Sequence, residues 1–170
     1  MRTPARTLGM SAPSDRALRR ARSLASHVTA SSTGRDGSGP GSTESPESWV
    51  RREGERFGPG EWLVVDQTRV DAFAECTEDH QWIHRAGAAT PFGGPIAHGF
   101  LTLSLLPALC KDVLPSHAWV ASEINCGFNK MRFVSPVAVG ARIRAAVELV
   151  RAKALAPPAR GVETVTKVTV

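Results

Sequence analysis

The chain has 170 residues, 42% of them hydrophobic and 6% aromatic, with a formal charge of +5 at neutral pH. One ordinary domain fits that length, and no run approaches the ~20 consecutive apolar residues of a membrane-spanning helix. The charge is no nucleic-acid footprint. Residues 1–45 hold seven of the 21 basic residues against three of the 16 acids, so residues 46–170 balance 14 against 13. A phosphate-tracking surface clusters Lys and Arg on the folded domain itself.

Residues 1–45 are rich in Arg, Ser and Gly and bury too little apolar surface to offset the entropy of ordering. A disordered tail over residues 1–48 is the expectation, with order starting at Trp49; the Arg/Ser composition also resembles an organellar transit segment. Residues 62–66 read as a strand. Asp66 or Thr68 then caps a helix whose apolar positions are Val70, Phe73, Ala74 and Cys76. An irregular turn follows over residues 79–84. Pro95 suits a first helical turn, and residues 96–113 form one long helix, apolar nearly all round and kinked at Pro107. Beyond Pro115 the pattern becomes extended: strands over 119–128 and 130–134, an alternating strand over 141–155 and a last strand over 161–170. In the alternating strand Ile143, Ala145, Val147 and Leu149 share one face, and Pro157-Pro158 makes the turn after it. One buried helix and an antiparallel sheet make an α+β layer.

Cys76, Cys110 and Cys126 show no metal-ligand spacing, so no metal is expected. Three thiols point to a reduced, cytoplasmic protein, with Cys76 and Cys110 in the core.

The chemistry sits between residues 79 and 100. Asp79-His80-Gln81-Trp82-Ile83-His84 offers a carboxylate and an imidazole five residues apart. Pro91-Phe92-Gly93-Gly94-Pro95-Ile96-Ala97-His98-Gly99-Phe100 then turns into the apolar helix. An acid and an imidazole can activate a water, and a helix N-terminus can hold the negative charge that develops on a reacting carbonyl. Alone, an acid and a histidine at this spacing form a surface pair as readily as a site. His98 by itself reads as a structural histidine at the helix start.

Together these strings, followed by Asn125-x-Gly127-Phe128-Asn129-Lys130-x-Arg132-Phe133-x-Ser135-Pro136-Val137, resemble the MaoC-like (R)-specific enoyl-CoA hydratases in their NodN-like branch. The resemblance spans residues 54–170. It implies a hot-dog fold over residues 49–170, with a long central helix wrapped by a curved antiparallel sheet, and a homodimer with active sites near the subunit interface. It implies reversible hydration of trans-2-enoyl-CoA to (R)-3-hydroxyacyl-CoA, with coenzyme A entering only as part of the substrate and no separate cofactor. Asp79 and His84 take the catalytic positions, and His98 and Gly99 the oxyanion-binding helix start. Gln81 and Ser104 fall to substrate binding, Ser104 toward the acyl chain, and Lys130 and Arg132 toward the phosphates of coenzyme A.

The chain also departs from that pattern. Glu78 stands where the family has Gly before the acid, and loss of that glycine is expected to strain the turn. The loop after His84 is shorter. Relatives continue past the position of Val170 into one further strand inside the sheet, so residues 49–170 are expected to lack it. Those departures leave open a catalytically degenerate relative, serving as a binding or dimerising subunit or a non-functional fragment, and an acyl-CoA thioesterase on the same fold.

Overall fold

The computed structural model describes residues 24–31, 45–156 and 161–170. Its elements in chain order are β1 (Leu24–Ser31), α1 (Pro46–Val50), β2 (Arg56–Phe57), β3 (Leu63–Val64), α2 (Gln67–Thr77), a 3-10 turn (Trp82–His84), α3 (Gly99–Ser104), α4 (Leu106–Cys110), β4 (Ser122–Lys130), β5 (Arg142–Ile143), β6 (Ala146–Ala154) and β7 (Gly161–Thr169). Five strands form an antiparallel sheet in the order β2-β6-β7-β1-β4, and β3 pairs with β5 in a small second sheet.

The core follows from the period-2 pattern of the last strands. Ile143, Ala145, Val147 and Leu149 are all buried, as their alternation requires, and β7 buries Val162, Thr164, Thr166 and Val168 on one face. Against that face lie Leu101, Leu105, Leu106 and Leu109 from α3 and α4, together with Val65 and Val70. A second cluster gathers Trp49, Leu149, Ala152 and Val162. A register shift in β6 between Leu149 and Arg151 moves the strand past its neighbour. Just beyond it the Ala152 amide donates to Glu53 Oε1 at 2.7 Å, so the irregular stretch keeps a hydrogen-bond partner.

Several expectations need correction. The long helix over residues 96–113 is two short helices meeting at Leu105. Pro107 has no N–H for the Leu103 carbonyl and its ring crowds that group, so the break falls at Leu105, two residues before the proline. The helix also starts at Gly99 and not at Ile96, because Ile96 bridges to Ala138 and the Ala97 amide donates to the Val137 carbonyl at 2.8 Å. Second, Leu24–Ser31, within the segment expected to be a disordered tail, is a strand paired on both edges. Third, Cys76 is exposed, because Val70 and Ala74 define the buried face of α2. Cys110 is partly buried, and burial pushes its thiol up to about 11. The strand expected over residues 119–128 runs Ser122–Lys130, the one expected over residues 130–134 does not form, and the Pro157-Pro158 turn lies outside the described residues.

Asp66 caps α2 as expected, its carboxylate accepting from the Arg69 amide at 2.8 Å. The other end is set by Glu78, in the left-handed region at φ 58, ψ 18. That conformation costs a residue with a Cβ about 1–2 kcal/mol, whereas glycine adopts it freely at a chain-entropy cost of about 0.5–1 kcal/mol. Glu78→Gly is therefore expected to stabilise the domain by about 0.5–1 kcal/mol, read as a higher urea midpoint at unchanged slope. An unchanged or lower midpoint would count against strain at this cap.

Candidate active site

The left-handed turn at Glu78 reverses the chain out of α2 and delivers Asp79 to the rim of a cavity of about 470 Å³. One wall of the cavity carries Asp79, Gln81, His84, His98 and Gly99; the other is the extended segment from Arg132 to Val137. That segment is held against the helix start by backbone bonds, Ala97 to Val137 at 2.8 Å and Val139 to Pro95 at 3.0 Å.

His84 is buried at the end of the 3-10 turn. Its Nδ1 lies 2.6 Å from the Ile96 carbonyl. A carbonyl only accepts, so Nδ1 carries the hydrogen, and in the neutral ring Nε2 is left as the basic lone pair. Gln67 Nε2 donates to the His84 carbonyl at 2.8 Å, anchoring the turn on α2.

His98 is 2% exposed and stacks on His84, with ring centroids 3.7 Å apart. Its Nε2–H donates to the backbone carbonyl of Asp79 at 2.9 Å. Its Nδ1 is buried with no hydrogen-bond partner among the described residues. Asp79, His84 and His98 each bring one donor atom into a group whose members all lie within 4.8 Å of one another. This set could orient a water or hold a divalent ion, since a metal-bound imidazole also keeps its second nitrogen on a carbonyl.

The remaining site residues divide. Gln81 and Arg132 line the cavity with the acid and the histidines, and Gly99 forms its helix-start corner. Two amides of the first helical turn there, those of Gly99 and Phe100, take no intrahelical partner by geometry. Ser104 does not face this cavity. It opens into a second one of about 560 Å³, beside Glu123, Asn125 and Phe128, and its hydroxyl donates back to the Phe100 carbonyl at 2.8 Å. Lys130 ends β4, exposed, and lines neither cavity.

Phe133 and Thr102 also line the cavity and were not singled out in the sequence. Phe133 explains Gly99: a Cβ there would sit 3.0 Å from two atoms of the Phe133 ring. That ring borders the space in front of the helix start. The Ser135-Pro136 break was the available signal for the second wall, because it keeps residues 131–137 extended.

A pair of short helices laid on an antiparallel sheet, with an acid and a buried imidazole at the helix start, defines an α+β domain built around one acid–imidazole cavity. The family model described as the MaoC like domain matches residues 49–170, and the chain belongs to that family, whose fold is the hot-dog arrangement of helix and antiparallel sheet. Nodulation protein N of Rhizobium leguminosarum bv. viciae is 48% identical over 97 residues, covering 55% of this chain and 60% of that protein. The 3-hydroxyacyl-thioester dehydratase Z of Mycobacterium tuberculosis is 46% identical over 110 residues, covering 63% of this chain and 72% of that one. A solved structure described as a monoamine oxidase regulatory protein from Archaeoglobus fulgius superposes with a TM-score of 0.50 at 23% identity, covering 69% of this chain and 89% of that chain. It supports the fold alone. No helix among the described residues is long and apolar enough to cross a membrane.

Proposed function

We propose that this chain is a hydro-lyase for acyl thioesters, reversibly hydrating trans-2-enoyl-CoA to (R)-3-hydroxyacyl-CoA, with Asp79 and His84 sharing the reacting water. One observation carries the reading: the Ile96 carbonyl fixes the His84 tautomer, leaving Nε2 basic at the cavity that Asp79 overlooks. The match to a protein named 3-hydroxyacyl-thioester dehydratase Z supports it.

In the hydration direction Asp79 accepts one hydrogen bond from the water and orients it. His84 Nε2 takes the other proton as the water oxygen bonds to C3. The C2–C3 π pair moves onto the thioester as an enolate, whose oxygen the Gly99 and Phe100 amides can receive. The proton held by His84 then goes to C2 on the same face, which gives syn addition. The cavity is mostly apolar, lined by Ile83, Ile96, Val134, Val137 and Ile143, and suits an acyl chain.

Arg132, exposed at the cavity, is the residue assigned to the coenzyme A phosphates; Lys130, two residues earlier, is a secondary contact. Arg132→Gln is expected to raise KM for crotonyl-CoA by about tenfold, roughly 1.4 kcal/mol. KM for the N-acetylcysteamine thioester, which carries no phosphate, stays unchanged. Equal shifts for both substrates would remove Arg132 from phosphate binding.

β4 lies at the sheet edge and leaves Ile124 57% exposed and Phe128 45% exposed. An apolar edge of that kind is normally covered, which supports a homodimer. The deciding assay follows the ultraviolet absorbance of the conjugated enoyl thioester, with crotonyl-CoA, on folded protein. A falling signal that depends on Asp79 and His84 supports the hydratase; none from a folded dimer favours the non-catalytic relative. Release of free coenzyme A would indicate the thioesterase.

A further inference from the structure

The family match begins at residue 49, yet the strand at the middle of the β7–β1–β4 part of the sheet comes from residues 24–31. Along β7 the pairing is unbroken, from Leu24 opposite Val168 to Ser31 opposite Gly161. Along β4 it runs from Ala25 opposite Lys130 to Ser31 opposite Ser122, with register shifts at Ala25/Ser26 and His27/Val28. Among the described residues β4 has no other partner in the sheet, and β7 reaches β4 only through this strand.

We infer that β4 and β7 form a strand-acceptor slot, and that its occupant is the Leu24–Ser31 segment of the chain's own N-terminal region. A slot between two strand edges exposes two rows of backbone donors and acceptors, and an inserted extended segment satisfies both at once. The eight-residue segment suits that position: it carries no charged residue and no proline, although Arg16, Arg19, Arg20 and Arg22 precede it and Arg35 and Asp36 follow. Proline or a charge is what edge strands use to refuse such pairing. The connection over residues 32–44 can span up to ~3.3–3.6 Å per residue, ample for the segment to reach the slot of its own chain.

Docking of this strand reaches the cavity. β4 leads directly into residues 132–137, one of the cavity's two walls. A segment outside the family-matched domain therefore pairs with the strand that feeds one wall of the candidate site.

The test is hydrogen exchange on the full chain, read segment by segment. Amides of residues 24–31 are expected to exchange as slowly as those of β7. Exchange of residues 24–31 at the rate of an unstructured chain, with β4 and β7 still protected, overturns the inference. A proline scan checks the same point by stability. Val28→Pro removes an amide in mid-sheet and is expected to lower the melting temperature by roughly 5–10 °C, whereas Val28→Thr, which keeps the amide, lowers it by far less. Equal melts for both variants also overturn it.

Discussion

Asp79→Asn is expected to lower kcat for crotonyl-CoA hydration by about 10²–10⁴-fold while leaving the thermal melt where it is. The asymmetry follows from placement. The Asp79 carboxylate is at the exposed rim of the cavity, and no side-chain ion pair of the described residues uses it for stability. The amide of Asn matches its shape, so packing and the backbone bond from His98 to the Asp79 carbonyl both survive. What changes is the acceptor that orients the water against His84 Nε2. An interaction made mainly in the transition state shows as a loss in kcat and kcat/KM together, with KM nearly constant. His84→Ala is the blunter experiment. His84 is 7% exposed and bonded to Ile96, so its removal costs stability as well as chemistry. If Asp79→Asn retains wild-type turnover, the dyad is misassigned, and His98 becomes the group to test as partner of His84.

Much of the sheet and the start of α2 were legible because they rest on local rules, whereas Asp79 and His84 were singled out through the family resemblance. Val147 and Leu149 are buried because a strand alternates faces, and α2 starts where it does because Asp66 is a good N-cap. The features that escaped were set by partners distant in sequence. Residues 24–31 have a tail's composition, and what makes them a strand is two waiting edges over 90 residues away in the chain. The helix start moved to Gly99 because Ala97 and Ile96 pair with residues 137 and 138. Ser104 failed for a geometric reason. Gly99, Phe100 and Thr102 line the cavity, whereas Ser104 shares the face of Phe100 but stands one turn, about 6 Å, further along the axis, where the second cavity opens. Glu78 was readable as a departure, and its positive φ supplies the physical reason that glycine suits the position.

His98→Leu separates positioning from structure, because its two stability terms oppose each other. Losing the Nε2–H leaves the half-buried Asp79 carbonyl without its donor, at a cost of up to about 1–3 kcal/mol. The same change removes Nδ1, a buried acceptor with no partner, whose burial carries a penalty of the same order. Leucine keeps apolar volume between Phe73 and His84, whose rings flank His98. The net effect on stability is therefore expected to fall within about 1 kcal/mol. Activity has no such compensation. The bond from His98 ties the Asp79 backbone to the helix start, across 19 residues of chain. A displacement of about 1 Å in a catalytic group can cost about 10²-fold. The expected result is a kcat lower by about 10–100-fold on a nearly unchanged melt, with His98→Gln recovering part of the loss because its amide can still donate. A wild-type kcat would mean that the turn after Glu78 holds Asp79 unaided; a collapsed melt would make His98 a structural histidine first.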